Sequence, residues 1–421
     1  SPSRLQPQTH PPSECRPTSM AAKSPSPSGT TTAEEAETVC ELDGTPFSVY
    51  YGQLQHQQNM LQDSVRTGTY QYAFTSNAAD FAGSTVLDVG TGTGLLAFFA
   101  VQAGAAKVYA VEQASRMASL ARRLVVGNGM SGVVEVLEGA VEEVQVEGKV
   151  DIIVSEPLGF LLVHERMLES FVAARDRFLR PGGKMMPSAS TIFCAPFTDA
   201  VLHSEQRSKS FFWGESSFYG IDLRALAEEA VDEYMGQAVV GYFSTDCLIS
   251  TDRSCHRVDF HTVTAKELQE FEIPLHFVIN RTALLHGLGC WFDVYFIGST
   301  AHVTLPTGPD HPGTHWYQCR LLLKNPIAVN ASQSISGNLR FVATSKVSYT
   351  VTMTLTLDGT DITSTTKIHL QDQMYHYLQS GSGGGYEAGN GFDYGVAAAP
   401  ATSPDASSPP PPPAEGGGTQ A

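Results

Sequence analysis

Positive charge is scarce in this 421-residue chain, where 26 lysines and arginines stand against 43 aspartates and glutamates for a formal net charge of -17. Bulk attraction to nucleic acid needs a basic surface that neutralises phosphates, so direct nucleic-acid binding is not expected. The acidity suits a basic partner, although many soluble enzymes share it. Apolar runs are also short: residues 95–101 are among the longest, well below the roughly 20 residues of a membrane-spanning helix. No membrane segment or secretory signal is therefore read. The seven cysteines are odd in number, scattered, and never in a C-x-x-C arrangement, which argues against a disulfide or zinc framework and for a reducing compartment. No metal is expected, and no basic localisation run is present.

What remains is a soluble globular composition, 42% hydrophobic and 16% charged, long enough for two domains. Residues 1–46 begin with Ser1 and are rich in Pro, Ser, Thr and Ala. They read as a disordered terminus, truncated or translated from a fragment, with Met20 a possible internal start. Residues 47–187 alternate strand and helix, with strands at 84–89, 107–111, 133–137 and 150–155 and a helix over 166–179 stopped by Pro181-Gly182-Gly183. Strict alternation predicts a parallel α/β sheet. Residues 188–379 switch to period-two alternation, clearest from Tyr349 to Leu357, and predict an antiparallel sandwich or barrel. Residues 206–235 interrupt it as a helical, aromatic insertion, and 380–421 form a Gly/Pro-rich tail expected to be disordered.

The chemistry concentrates in two segments. Val86-Leu-Asp-Val-Gly-Thr-Gly-Thr-Gly94 sets Gly90 and Gly92 at the turn after the first strand, and Glu112 ends the next strand. Glycines let a ligand approach the backbone, and an acid at that distance suits a ribose diol. The G-x-G-x-G spacing differs from the G-x-G-x-x-G of dinucleotide enzymes and favours S-adenosylmethionine over a nicotinamide cofactor; a Gly-rich turn with no ligand is the plainer alternative. The second segment carries Glu156 and Glu165 nine residues apart after an apolar strand. Two carboxylates facing one cleft repel each other unless a cation lies between them, and a planar guanidinium fits best. The plainer alternative is that either glutamate caps a turn or pairs with Arg166. Arg66 is a credible clamp for a carboxylate, though a lone arginine near a helix end is commonly a surface group.

Taken together, residues 57–70, the 86–94 turn, Val108-Tyr-Ala-Val-Glu112, Val141-Glu-Glu143, the Glu156–Glu165 turn and Thr314-His-Trp316 resemble the protein arginine methyltransferases. The resemblance covers about residues 47–377 with every motif in family order. It is closest to the coactivator-associated, type I subfamily, whose N-terminal pleckstrin-homology-like domain is not recognisable here. It implies a Rossmann-like class I methyltransferase domain, then an antiparallel β-barrel, with 206–235 as a helical dimerisation arm in a homodimer.

The implied reaction is attack of an arginine ω-nitrogen on the methyl of S-adenosylmethionine, releasing S-adenosylhomocysteine and giving monomethyl and asymmetric dimethyl arginine. By the same resemblance Glu156 and Glu165 hold the guanidinium, and His315 with Asp63 takes the departing proton, although a His before Trp is often just a packed residue. Gln57, Arg66, Gly90, Gly92, Glu112, Glu142 and Ser170 are implied to contact the donor, with Met60 and Tyr51 packing beside the reacting groups. Implied partners are histones and transcription or RNA-binding proteins, and implied locations are nucleus and cytoplasm. Phe160, Val163 and His164 depart from the family's tyrosine, aromatic and asparagine, which leaves open a silent scaffold that binds donor without turnover. A nicotinamide-dependent oxidoreductase is the remaining alternative.

Overall fold

The computed structural model of this chain describes residues 46–376; the two ends expected to be disordered fall, but for Pro46, outside them. Four helices, α1 (Pro46–Tyr51), α2 (Leu54–Gln62), α3 (Ser64–Ser76) and α4 (Ala78–Phe81), precede the first strand. Asp63 ends α2 and caps α3, its carboxylate accepting the Arg66 backbone N–H at 2.9 Å, which satisfies one of the donors a helix start leaves unpaired.

A parallel sheet follows, built from β1 (Thr85–Val89), β2 (Lys107–Glu112), β3 (Val134–Glu138), β4 (Val150–Ser155) and β5 (Leu179–Met186) in the order β3-β2-β1-β4-β5. Helices α5 (Leu95–Gln102), α6 (Ser115–Gly127) and α7 (Met167–Phe178) lie between strands. β1 and β4 are buried at almost every position, as parallel strands covered on both faces must be. The strand order reverses between β1 and β4, so the carboxyl ends of these two strands open the crevice where such sheets hold ligands. The alternation is not strict, because no helix joins β3 to β4.

Pro181-Gly182-Gly183 does not follow a helix into a loop as expected. The helix stops at Phe178, and the Pro-Gly-Gly run lies inside β5, where Val150 pairs with Leu179 but Ile152 pairs with Lys184. The surplus residues bulge out, a role suited to Pro and Gly in an edge strand.

The remaining strands are β6 (Ala189–Phe197), β7 (Gln237–Gly241), β8 (Ser254–Asp259), β9 (Glu270–Val278), β10 (Ala283–Ile297), β11 (His302–Pro306), β12 (Gln318–Val329), β13 (Ser334–Thr344), β14 (Ser348–Leu357) and β15 (Thr363–Tyr375). They form one sheet in the order β8-β6-β10-β12-β7-β15-β14-β13-β9, with β11 on β10 and only β7–β15 parallel. The two terminal strands approach each other. The His276 N–H reaches Ser254 Oγ at 3.3 Å, the Val278 N–H reaches Asp252 at 2.9 Å, and His256 stacks on Phe271 with centroids 4.7 Å apart. The sheet is thereby a nearly closed barrel rather than a sandwich, and closure removes exposed edges. Along β14 Tyr349, Val351, Met353, Leu355 and Leu357 are buried while the intervening threonines face outward, each buried side chain contributing about 1.5–3 kcal/mol.

The insertion is less helical and begins earlier than its sequence suggests. α8 (Ala200–Ser208) and α9 (Ala227–Met235) flank two short 3-10 turns and a loop, and Asp199 caps α8 through the Leu202 N–H at 2.9 Å. Its tip exposes Phe211, Phe212, Tyr219 and Ile221, with Tyr219 92% exposed. One buried cluster runs from the parallel sheet through Phe160 and Leu162 into the barrel residues Phe292 and Leu305, and the site described next lies along it.

Candidate active site

The turn after β1 is held from beneath. Asp88, fully buried on β1, accepts the Thr91 hydroxyl at 2.6 Å and the Ala97 N–H at 3.0 Å, and burial pushes its carboxyl up to about 7. Glu112 accepts the N–H groups of Gly92 and Ala114 at 2.8 and 2.9 Å; burial raises its pKa against these bonds. Gly90 and Gly92 have φ of 67° and 56°. A Cβ on Gly90 would sit 2.3 Å from Met167 Cε, and one on Gly92 2.7 Å from Gln57 Oε1. The left-handed torsion favours glycine at both positions, while the two close contacts are ends of flexible side chains that could move aside.

Helices α1 and α2 lie over this turn. Gln57 is buried and donates to the Tyr51 carbonyl at 2.9 Å, while Arg116 on α6 donates to the Gly52 carbonyl at 2.6 Å. Glu142 and Ser170 meet each other at 2.7 Å nearer the surface. The residues expected around a donor thus gather at the ends of β1, β2 and α7.

Beyond β4 the chain folds into a tight loop. Ser155 donates to the Val89 carbonyl at 2.7 Å and Tyr70 donates to the Ser155 carbonyl at 3.1 Å, fixing the point from which Glu156 leaves. Glu156 meets Arg66 Nη2 at 3.0 Å, both side chains about one-tenth exposed. Arg66 also donates to the Met60 carbonyl at 3.3 Å, while its buried Nε has no partner. Glu165 accepts the Tyr51 hydroxyl on both oxygens, at 3.0 and 2.8 Å. Burial, helped by the Glu156 charge and opposed by the Tyr51 bond, pushes its carboxyl up to about 7. Arg166 pairs bidentately with Glu169 at 2.6 and 2.9 Å, so it belongs to neither glutamate of the clamp.

From the barrel side, His315 Nδ1 lies 2.8 Å from Asp63 Oδ2, which also accepts the His315 N–H at 2.8 Å. Burial raises the Asp63 carboxyl, but the bonds from His315 and the Arg66 N–H outweigh it and leave its pKa below the ordinary value. The neighbouring Trp316 is the packed residue of the pair: it is buried and its Nε1 donates to the Leu158 carbonyl at 2.7 Å, inside the clamp loop.

This arrangement brings two bonded groups side by side, Tyr51 with Glu165 and Asp63 with Arg66, Glu156 and His315, with Glu156 close enough to raise the Glu165 carboxyl. Its chemistry is that of a cation clamp beside a proton acceptor. The glycine turn and the orphaned Arg66 Nε suit a ligand carrying a carboxylate, with Glu112 close by. Among the described residues no cluster of three His, Cys, Asp or Glu has metal-ligand geometry. Ser155 and Tyr70 carry no local signal as supports of this site. Asp88, two residues before the glycine turn, stands inside the motif itself.

Two family models match the chain, one described as a methyltransferase domain over residues 86–183 and one as an arginine methyltransferase oligomerization subdomain over residues 188–361. A probable histone-arginine methyltransferase CARM1 of Oryza sativa subsp. indica is 49% identical over 340 residues, covering 78% of this chain and 64% of the relative. The histone-arginine methyltransferase CARMER of Aedes aegypti is 47% identical over 338 residues, covering 80% and 56%. The chain thus spans less than two thirds of the length of these relatives. Among solved structures, protein arginine methyltransferase 10 of Arabidopsis thaliana is similar at a TM-score of 0.70 and 32% identity, covering 77% of this chain and 99% of that one. The Trypanosoma brucei PRMT1 enzyme-prozyme heterotetrameric complex with AdoHcy gives 0.69 and 28%, covering 76% and 99%.

Proposed function

The chain belongs to the protein arginine methyltransferase family, and on that footing we propose that it methylates arginine side chains of proteins, histones among them, through the network of Glu156, Glu165, His315 and Asp63. The observation that carries the reading is a pair of half-buried glutamates on one loop, beside His315 of the barrel, which is held 2.8 Å from Asp63 at the start of α3.

The residues around Gly90, Gly92, Gln57, Glu112, Glu142 and Ser170 would hold S-adenosylmethionine, with Arg66 toward its carboxylate, and the cofactor would supply an activated methyl group. Glu156 and Glu165 bind the guanidinium by charge-assisted hydrogen bonds and draw its positive charge onto the nitrogens they touch, which leaves lone-pair density on the other ω-nitrogen. Burial makes this more effective, because two carboxylates in a dry cleft gain more from a guanidinium than they would in water. Asp63 holds His315 by Nδ1, so Nε2 is the atom left to accept a proton. Tyr51 on Glu165 fixes the carboxylate and lowers its pKa toward the ionised state that a guanidinium needs.

The proposed products are monomethyl and asymmetric dimethyl arginine, as for a type I enzyme. We further infer a homodimer assembled through the insertion, supported by the exposed aromatic tip and by the oligomerization subdomain that spans it. Residence in nucleus and cytoplasm is proposed from the family alone.

The test is transfer of a labelled methyl from S-adenosylmethionine to an arginine-containing histone peptide and not to the same peptide with lysine in place of arginine. Binding of S-adenosylhomocysteine without any transfer across a peptide panel would instead support a silent scaffold.

A further inference from the structure

The clamp loop is strained and its strain is concentrated around one glutamate. Leu161, Leu162, Glu165 and Arg166 all have φ between 51° and 72°, a region that costs a non-glycine residue about 1–2 kcal/mol. Such a conformation persists only where the surroundings over-determine it. Beyond Tyr51, Glu169 and Trp316, the surroundings of the residues flanking Glu165 include one further element. His164, buried, places Nδ1 3.0 Å from the hydroxyl of Ser348, itself fully buried. Arg166 donates through Nη1 to the Thr344 carbonyl at 2.8 Å. Thr344 ends β13 and Ser348 begins β14, so the residues on either side of Glu165 are both tied to one hairpin turn of the barrel. That turn is strained as well, with Val347 at φ 56°, a rare setting for a β-branched residue.

We propose that the β13–β14 hairpin is the positioning element for Glu165, and that His164 and Ser348 are positioning residues that set this carboxylate toward the substrate guanidinium without touching it. The inference rests on the methyltransferase reading of the site and adds to it a contact between His164 of the clamp turn and Ser348, which lies outside every motif named above. Among the described residues no hydrogen bond from Glu165 to the parallel sheet fixes its direction; its partner is Tyr51 on α1. Its own backbone is therefore steered by His164 before it and Arg166 after it. A misplacement of about 1 Å in a group that orients a reactant can cost on the order of 100-fold in rate. The plainer view is that His164 and Ser348 only fill the core, as a satisfied buried pair would.

The experiment measures kcat, KM for an arginine peptide, S-adenosylhomocysteine affinity and Tm for the full chain and for Ser348→Ala, His164→Leu, the double variant and His164→Gln. The expected result is a loss of kcat of about 10- to 100-fold in each single variant, with S-adenosylhomocysteine affinity unchanged. The double variant is expected to be no worse than either single, since the two side chains act as one unit. His164→Gln, which keeps an amide within reach of Ser348, is expected to recover most of the rate. Wild-type kcat in Ser348→Ala, additive losses in the double variant, or losses that merely follow donor affinity and Tm would overturn the proposal. Should one single variant not fold, the other is read against His164→Gln, and no recovery there is again contrary. A wild-type chain that binds S-adenosylhomocysteine but transfers nothing indicts the functional reading itself, whereas turnover that ignores Ser348 indicts only this inference.

Discussion

The turn after β1 and the loop after β4 adopt the same left-handed torsions with opposite sequence strategies. Gly90 and Gly92 populate that region at no steric cost, and Glu112 and Asp88 pin them from the same domain. The second loop asks it of two leucines, a glutamate and an arginine, and draws its support from the barrel through Ser348, Thr344 and Trp316. The first is a local device that carries its conformation in its own residues. The second is a tertiary device whose geometry is tied to the barrel packed against it, which couples the proposed clamp to the barrel.

The largest expected effect breaks the second loop's chemistry and spares the first. Glu165→Gln keeps the shape and the Tyr51 contact but removes the charge, and kcat/KM for an arginine peptide should fall by about 1,000-fold with S-adenosylhomocysteine affinity within a factor of two or so; equal losses in both would mean that the two regions are not separable. Breaking the first loop should do the reverse. Gly92→Ala meets Gln57 Oε1 at 2.7 Å in a left-handed torsion, and calorimetry should record donor affinity weakened about tenfold, the equivalent of a 1–2 kcal/mol torsional cost.

A pH profile sharpens the contrast further. Glu165, raised to about 7 by burial, must be ionised to hold a cation, so kcat/KM should climb through that pH. The Tyr51 bond lowers this pKa, hence Tyr51→Phe should move the rising limb to higher pH, and a limb unmoved or shifted down would contradict the assignment. The stability sign is opposite: a raised carboxyl favours the fold while protonated, fully below its unfolded value near 4.5, and that contribution is lost as pH rises toward 7. The smallest effect concerns strain. Val347 is 40% exposed at φ 56°, so Val347→Gly removes little packing and should stabilise the fold by about 1 kcal/mol, read as a raised Tm; a lowered Tm would show that the hairpin is not strained there.

How far the sequence speaks follows the same division. Glycine spacing, the acid ending β2 and the apolar run into Glu156 are local patterns, and each marks its place in the parallel sheet without knowledge of the rest. The alternation in β14 likewise announces a half-buried strand. What could not be read depends on contacts between distant segments: the barrel's near closure through Ser254 and His276, and the hold of Ser348 on His164 across 184 positions. Arg166 beside Glu165 in sequence suggested a possible ion pair, yet its guanidinium turns to Glu169 one helical turn on. The Pro-Gly-Gly run signals a break in regular structure, but whether it ends a helix or bulges an edge strand depends on β4, which lies beside it only in the fold.

The most direct measurement is mass-spectrometric product analysis of an arginine-containing histone peptide incubated with this chain and S-adenosylmethionine. Monomethyl arginine followed by asymmetric dimethyl arginine is the predicted outcome. Unmodified peptide despite bound donor would contradict the proposed activity, and symmetric dimethyl arginine alone would contradict the type.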